Sequence, residues 1–354
     1  MKRKRMKRRE MLIGLCGIIL LSWVTFHVLF KNHSIEALKE ALQRSELWLL
    51  LPGLGCMLLF VNCEAANIRM LMRTFSRSVP YRRSLSYAFA GFYFSAITPS
   101  ATGGQPMQLY YMTRDGLGFA QSSFTLLAVT AVYQMTILIY GSIAALLNLS
   151  LCMSQGKLMQ CLLLMGILVN GCCSGLILLT ILNSLLAKRL IRALIGFLCK
   201  IKLMRNKRKA ERKLEEIINE YSRGGAYLRK YPLVIARMFL YTTIQLSGLY
   251  LVPYFAGLAL GLDVCPGRFL ALQAILSLAV TAVPLPGSVG ASEGAFMALY
   301  GPALGAGLSF SVLVLGRGIS FYGMLAVSGV ITAALQFRGK PGLPTGQPPH
   351  SVLE

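Results

Sequence analysis

The chain has 354 residues, of which 55% are hydrophobic and only 14% are charged. The apolar residues fall in runs of about 20, the length of a helix that crosses ~30 Å of bilayer hydrocarbon, and this pattern excludes a soluble globular protein. The formal net charge of +23 would suggest nucleic-acid binding in a soluble chain. The basic tract from Lys2 to Arg9, however, directly precedes an apolar run, so we predict a membrane protein with no nucleic-acid partner.

Six apolar runs are long enough to be full membrane spans. In chain order they are Met11 to Phe30, Leu47 to Ala66, Phe124 to Leu147, Leu158 to Leu186, Leu233 to Leu251 and Leu308 to Phe337. The first run follows a basic segment, residues 1–10, as a signal peptide would. It is too long for a signal peptide and no Ala-x-Ala site closes it, so we expect a retained anchor.

Two further apolar segments, 85–112 and 269–304, are each interrupted by a polar stretch rich in Pro and Gly. Bilayer hydrocarbon cannot satisfy free backbone N–H and C=O groups, so such breaks are expected only where they line a protein-enclosed cavity. A pair of broken segments in corresponding positions of two halves indicates a transport site.

The distribution of Lys and Arg predicts that both termini are cytoplasmic. Fourteen of these residues lie between Lys188 and Lys230, whereas only five fall on the opposite side. This orientation requires segment 85–112 to enter and leave from the cytoplasm, and segment 269–304 from outside. We therefore predict an all-α polytopic membrane protein with about six full transmembrane helices and two oppositely oriented re-entrant broken-helix hairpins.

Hairpins of opposite orientation fit an inverted-topology repeat. At an offset of 187 residues, the matching positions are Pro99 with Pro286, Gly103 with Gly290, and Gly118 with Gly305. The halves would be 11–187 and 231–337. Between them, segment 188–230 is basic and partly amphipathic, and we expect it on the anionic inner leaflet or as a topology-setting loop. The tail, 338–354, is rich in Pro and should be disordered.

Catalytic and metal-binding patterns are missing from the sequence. The three histidines share no span, no Walker A motif occurs, and the nine cysteines lack paired CxxC spacing. We therefore predict no cofactor, no metal and no catalytic residue.

The second break carries the strongest candidates for a binding site. Glu293 follows Pro286, Gly287 and Gly290 in a PGxxGxxE pattern, and Arg317 lies within the last span. Ionisable groups at membrane depth are expensive and usually have partners. Arg317 either attracts an anionic headgroup that Glu293 orients, or forms an ion pair with Glu293 that joins the hairpin to the last helix. Ser288 and Ser292 would add hydroxyls to this site.

The first break offers mainly backbone and neutral side chains. Thr98 and Ser100 supply hydroxyls for a ligand or for helix caps, Pro99 breaks the helix, and Gly103 with Gly104 lets backbone amides approach a ligand. Gln105 should face the cavity. For Arg114 and Asp115 an interfacial turn is favoured. Glu64 and Arg69 are expected to end the second span at the inner face.

Together these residues resemble the lysylphosphatidylglycerol synthase transmembrane family, also described as flippase-like. The resemblance is carried by Thr98 to Gly116, by Pro284 to Tyr300 and by Arg317. It implies a multi-pass protein of the bacterial inner membrane whose module translocates an aminoacylated phospholipid. Many members carry an Arg and an Asp in the span after the first motif, where this chain reads from Thr130 to Gln134.

The founding type of that family also carries a soluble aminoacyl-tRNA-dependent transferase domain, for which this chain leaves no room. We therefore expect a translocator of an aminoacylated or polyprenyl-linked lipid and not an enzyme. The alternative is a lipid-binding membrane partner that recruits a separate synthase through segment 188–230. Direction of transport, energy source and oligomeric state stay open.

Overall fold

The computed structural model describes residues 46–75, 78–98, 101–182, 207–281 and 291–337, together with Gln43. All regular structure in these ranges is helical, and five helices are long and apolar enough to cross a membrane. The prediction of an all-α polytopic membrane protein is thus confirmed. The predicted first span, the stretch 183–206 and the tail lie outside the described residues.

The helices are numbered here in chain order within the described ranges. They are α1 Leu50–Thr74, preceded by the 3₁₀ turn Leu47–Leu49, α2 Tyr81–Ile97, α3 Gly104–Arg114, α4 Phe119–Leu147, α5 Leu149–Ser154, α6 Lys157–Leu182, α7 Lys207–Lys230, α8 Pro232–Ala259, α9 Pro266–Val280, α10 Ala291–Leu304, α11 Ala306–Arg317 and α12 Met324–Phe337. A π-helical segment, Gly318–Gly323, connects α11 to α12.

Both interrupted segments fold as two helices that pack against each other. Hairpin 1 consists of α2 and α3, and hairpin 2 consists of α9 and α10. The observed bounds, Tyr81–Arg114 and Pro266–Leu304, extend the predicted segments by a few residues at their starts. The side of the membrane from which each hairpin enters remains a prediction.

The helices of the two halves recur at a constant spacing. Gly104 and Ala291 begin α3 and α10, and Phe119 and Ala306 begin α4 and α11, so each pair is separated by the offset of 187 found in the sequence. Matching helices also pack alike: α2 lies against α12 as α9 lies against α4, and α1 lies against α4 as α8 lies against α11. The two halves are therefore structural repeats, and the first helix of each hairpin packs against a long helix of the other half.

Helices α1 and α8 make the most extensive helix–helix contact within the described part of the chain. They approach closely because Gly248 has no side chain: a Cβ there would lie 3.0 Å from the carbonyl oxygen of Cys56. Helix α9 is held in a similar way. A Cβ at Gly166 of α6 would lie 2.0 Å from the carbonyl oxygen of Leu278, and a Cβ at Gly141 of α4 would lie 2.7 Å from the Cβ of Leu278.

The second part of the basic segment, α7, packs against α4 and α6. The ring of Tyr221 lies edge-to-face against Phe124, with centroids 5.4 Å apart, and Ile217 and Leu228 join the same apolar cluster. The described part of this amphipathic helix thus covers protein helices with its apolar side.

Candidate functional site

An ion pair joins hairpin 2 to the last long helix. Glu293 lies in the first turn of α10, directly after the second break, and Arg317 ends α11. Nη2 of Arg317 lies 2.9 Å from Oε1 of Glu293. Nη2 also donates to the hydroxyl of Ser292, which in turn donates to Oε2 of Glu293 over 3.0 Å. The ion pair named as one alternative from the sequence is therefore present.

The two charges differ in exposure. The side chain of Glu293 is 6% exposed, whereas that of Arg317 is 19% exposed. The guanidinium carbon of Arg317 also lies 5.9 Å from the ring centroid of Phe321. Glu293 thus holds one edge of the guanidinium within the protein, and the remaining surface of Arg317 stays available for other contacts.

Irregular backbone surrounds this ion pair. The hydrogen-bond pattern widens to a π-helix at Gly318, immediately after Arg317, and Pro253 interrupts the ladder of α8 opposite. Pro inside a helix removes a backbone donor and kinks the helix, and π-helical segments occur frequently at functional sites. A Cβ at Gly316 would lie 3.9 Å from Pro253, so the two irregular stretches face each other.

A cavity of about 290 Å³ lies between these stretches and hairpin 2. Its polar lining residues are Gln273, Ser277, Thr281, Ser292, Arg317 and Ser320. Apolar and aromatic side chains from α8, α10 and α11, among them Tyr250, Phe296 and Leu313, complete the wall. The cavity therefore combines one cation, several hydroxyls and an apolar surface.

The hydroxyls in the cavity leave acceptor positions for a ligand. Thr281 donates to the carbonyl oxygen of Ser277 over 2.5 Å, and Ser320 donates to that of Gly316 over 2.7 Å. A hydroxyl that donates its single proton can still accept. Together with the N–H groups of Arg317, the lining can bind a headgroup that both accepts and donates hydrogen bonds.

The hydroxyl of Thr98 forms hydrogen bonds to backbone groups on both sides of the first break. It donates to the carbonyl oxygen of Phe94 over 2.6 Å and accepts from the backbone N–H of Gly103 over 2.8 Å. Backbone proximity is required at Gly104, where a Cβ would lie 2.8 Å from the carbonyl oxygen of Gly91. Ala101, between them, has a φ of 54°, in the left-handed region.

Gln105 and Ser292 occupy equivalent positions of the two repeats. Gln105 donates to the hydroxyl of Thr130 on α4. Adding the offset of 187 to these two positions gives Ser292 and Arg317, which also form a hydrogen bond. Hairpin 1 therefore makes a neutral version of the contact that is charged in hairpin 2.

Asp115 fastens the other end of hairpin 1. It caps α3 and accepts from Nη1 of Arg83 over 3.0 Å and from the hydroxyl of Tyr87 over 2.8 Å, both on α2. Arg114 donates to the carbonyl oxygen of Leu335 over 2.7 Å. The predicted turn at Arg114 and Asp115 is present, and it ties the two arms of the hairpin together.

The structure brings Glu293, Arg317 and Ser292 together, whereas Thr98 and Gln105 lie at the first break, outside the lining of the cavity. Gly103 and Gly104 begin α3. The remaining candidates, which are Pro99, Ser100, Pro286, Gly287, Ser288 and Gly290, lie outside the described residues.

The sequence prediction ended the second span too early, and it did not identify several hydroxyl groups that line the cavity. Helix α1 continues to Thr74, eight residues beyond the predicted end at Ala66, so Glu64 and Arg69 lie within the helix and not at its end. Their position relative to the inner face of the membrane remains a prediction. Ser277, Thr281 and Tyr250 line the cavity but were not singled out. Their only signal was the presence of hydroxyls in apolar helices, which occurs throughout this chain.

The family comparison covers most of the chain, including both hairpins. The family model described as "Lysylphosphatidylglycerol synthase TM region" matches residues 11–328. The chain belongs to this family. No curated protein matches the sequence. Membership in the family accounts for the multi-pass helical architecture and includes both breaks, Glu293 and Arg317 in the matched range.

Proposed function

We propose that the protein translocates an amphiphilic lipid, an aminoacylated phospholipid or a polyprenyl-linked lipid, between the two leaflets of a bacterial inner membrane. The headgroup would bind in the cavity at Arg317 while the acyl chains remain in the bilayer. We assign no synthetic reaction to this chain.

The observation that carries the proposal is the position of Arg317. Its guanidinium lines a cavity of about 290 Å³ that also contains hydroxyls and apolar side chains, and Glu293 neutralises it from the protein side. A cation beside hydroxyls suits a phosphate or carboxylate with polar neighbours, since Arg binds both groups in a bidentate manner. The apolar wall suits the part of a lipid next to its headgroup.

The two repeats support an alternating mechanism. Each repeat supplies one hairpin whose broken tip approaches a long helix of the same repeat, at Thr130 or at Arg317. Repeats of this kind place a substrate between them and expose it to each side in turn. We expect the two hairpins to expose the headgroup alternately.

The test is a leaflet-transfer assay in vesicles that contain the purified protein. Fluorescent and lysylated phosphatidylglycerol analogues are placed in one leaflet, and a membrane-impermeant quencher or amine reagent measures their transfer. Wild-type protein should accelerate transfer, and Arg317→Gln should abolish the acceleration. Arg237→Gln is the matched control, because Arg237 is an exposed arginine in α8. Absence of transfer of every analogue by wild-type protein would overturn the proposal.

A charge exchange separates the substrate role of Arg317 from its structural role. The double variant Glu293→Arg/Arg317→Glu keeps an ion pair but moves the cation away from its place in the cavity. We expect this variant to fold and to lose transfer. If it transfers lipid at the wild-type rate, headgroup binding by Arg317 is wrong.

A further inference from the structure

A second carboxyl group, Glu64, lies at membrane depth in the first repeat. It is 14 residues from the start of α1 at Leu50 and ten from its end at Thr74. At 1.5 Å per residue, these separations correspond to about 21 Å and about 15 Å along the helix. Glu64 therefore lies well inside the span.

The polar partner of Glu64 comes from hairpin 1. Nε2 of Gln108, on α3, donates to Oε1 of Glu64 over 2.5 Å. Gln108 is only 3% exposed. Its amide occupies the space left by Gly91 of α2, where a Cβ would lie 2.1 Å from Nε2 of Gln108. The packing of hairpin 1 thus directs this amide to Glu64.

Glu64 and Glu293 differ in how their charge is compensated. Glu293 has Arg317 at 2.9 Å, whereas the ion pairs found among the described residues do not include Glu64. An uncompensated charge at membrane depth is energetically expensive. A neutral amide donor offsets only part of this cost, and protonation of the carboxylate removes it.

The elements packed against α1 carry Tyr87 on α2, Tyr133 on α4, Tyr250 on α8 and Tyr322 in the π-helical segment. Tyr111 lies on α3, which also carries Gln108, and Arg317 ends α11. Tyr133 is within electrostatic range of Glu64. Tyr87 donates to Asp115, and Arg317 pairs with Glu293. On α1 itself, Arg69 lies over the ring of Tyr81. The side chain of Glu64 is half-buried.

We propose that Glu64 is a proton-binding site whose protonation state sets how firmly α3 of hairpin 1 is held to α1. In the ionised state, the carboxylate accepts a charge-assisted hydrogen bond from Gln108. Hydrogen bonds to an ionised partner are roughly twice as strong as neutral ones. Addition of a proton to the carboxylate weakens this hydrogen bond, so α3 is held less firmly to α1. The class of ligand is a proton, and the reaction is a simple addition to a carboxylate oxygen.

This inference extends the proposed function, because a proton that loosens one hairpin can supply a driving force for transport. Proton binding itself can be measured without an assay of lipid transfer. Infrared difference spectra of the reconstituted protein, recorded across a pH titration, separate the C=O band of a protonated carboxyl from the bands of a carboxylate. The expected result is a carboxyl band that titrates in wild-type protein and is lost in Glu64→Gln.

The controls establish which residue gives the band. Glu46→Gln removes an exposed carboxyl at the start of the same helical region and should leave the band unchanged. Gln108→Leu keeps the carboxyl but removes its donor, and should move the band to higher frequency. This second variant also tests the proposal if Glu64→Gln does not fold. A band that persists in Glu64→Gln, or one that responds to sodium instead of pH, would overturn the proposal.

A vesicle experiment distinguishes this inference from the proposed function. With a gradient of one pH unit, one coupled proton supports a leaflet asymmetry of up to about tenfold. We expect this asymmetry in wild-type protein and its loss in Glu64→Gln, with transfer in the absence of a gradient retained. If the band titrates but neither wild-type protein nor any variant transfers lipid, the proposed function is wrong and the proton site stands. If lipid transfer in wild-type protein ignores the gradient, coupling at Glu64 is wrong while translocation stands.

Discussion

Hairpins 1 and 2 have the same construction but are fastened at opposite ends. In hairpin 1 the buried charge, Asp115, lies at the open end, where it joins the end of α3 to Arg83 and Tyr87 at the start of α2. In hairpin 2 the buried charge, Glu293, lies next to the break and pairs with Arg317 on α11. The charge at the open end joins the two arms of hairpin 1, whereas the charge at the break pairs with Arg317, which lines the cavity.

The break of hairpin 1 makes the corresponding contact without charge. The hydrogen bond between Gln105 and Thr130 occupies the place of the contact between Ser292 and Arg317. Neutral hydrogen bonds between membrane helices contribute about 0.6 kcal/mol, far less than the loss of one partner from a buried ion pair. The two repeats therefore share one geometry, with a neutral contact at one break and a charged contact at the other.

The largest effect is expected from breaking the ion pair of hairpin 2. Arg317→Gln leaves the carboxylate of Glu293 buried without its cation, and removal of one partner of a buried pair costs about 3–5 kcal/mol. The free energy of unfolding in detergent, measured by denaturant titration, should fall by this amount. The double variant Glu293→Gln/Arg317→Gln should recover part of the loss.

The control for this measurement is Arg237→Gln, which changes an exposed arginine and should alter the free energy of unfolding by less than about 0.5 kcal/mol. Equal stability of the single and double variants would mean that the two residues do not act as a pair. The ion pair would then not distinguish the break of hairpin 2 from the neutral break of hairpin 1.

Asp115→Asn should have a smaller effect on stability and little effect on lipid transfer. The substitution removes the charge that Arg83 and Tyr87 contact, and hydrogen bonds to charged groups contribute about 1.5–3 kcal/mol. Asp263→Asn, at an exposed carboxyl before α9, is the matched control. A loss of transfer greater than the loss of folded protein would show that the open end of hairpin 1 has more than a structural role.

Thr130→Val should have the smallest effect. It removes the hydroxyl that accepts from Gln105 and should lower the free energy of unfolding by about 0.6 kcal/mol. Thr136→Val is the control on the same helix, because its hydroxyl bonds only to the carbonyl oxygen of Val132 within α4. A cost several times larger at Thr130 would mean that the neutral break is as important as the charged one.

Much of the fold could be predicted because hydrophobic length and charge asymmetry are local properties of a sequence. The two breaks are rich in Pro and Gly, which favour the ends of helices, and the offset of 187 matches the helix starts at Gly104 and Ala291. The pairing of Glu293 with Arg317 could be named as an alternative, since few ionisable residues lie at depth and each requires a partner.

The remaining features depend on contacts that no local pattern encodes. Glu64 was placed at the inner face because hydropathy falls after Ala66, but α1 continues as a helix while packed against α2 and α8. The hydrogen bond between Glu64 and Gln108 joins residues 44 positions apart, and it requires the absence of a side chain at Gly91. The cavity likewise arises from the kinked and widened helices around Pro253 and Gly316, whose proximity follows from the tertiary structure.

The glycine contacts around Leu278 determine which part of hairpin 2 can move. At Gly166 the backbone of α9 lies so close to α6 that not even a methyl group fits between them, and at Gly141 of α4 an added Cβ would lie 2.7 Å from the Cβ of Leu278. Helix α9 therefore belongs to the rigid frame of the molecule. If the cavity opens while α9 keeps these contacts, α10 is the helix of hairpin 2 that moves. Ser292 and Glu293 lie on α10 and would move with it.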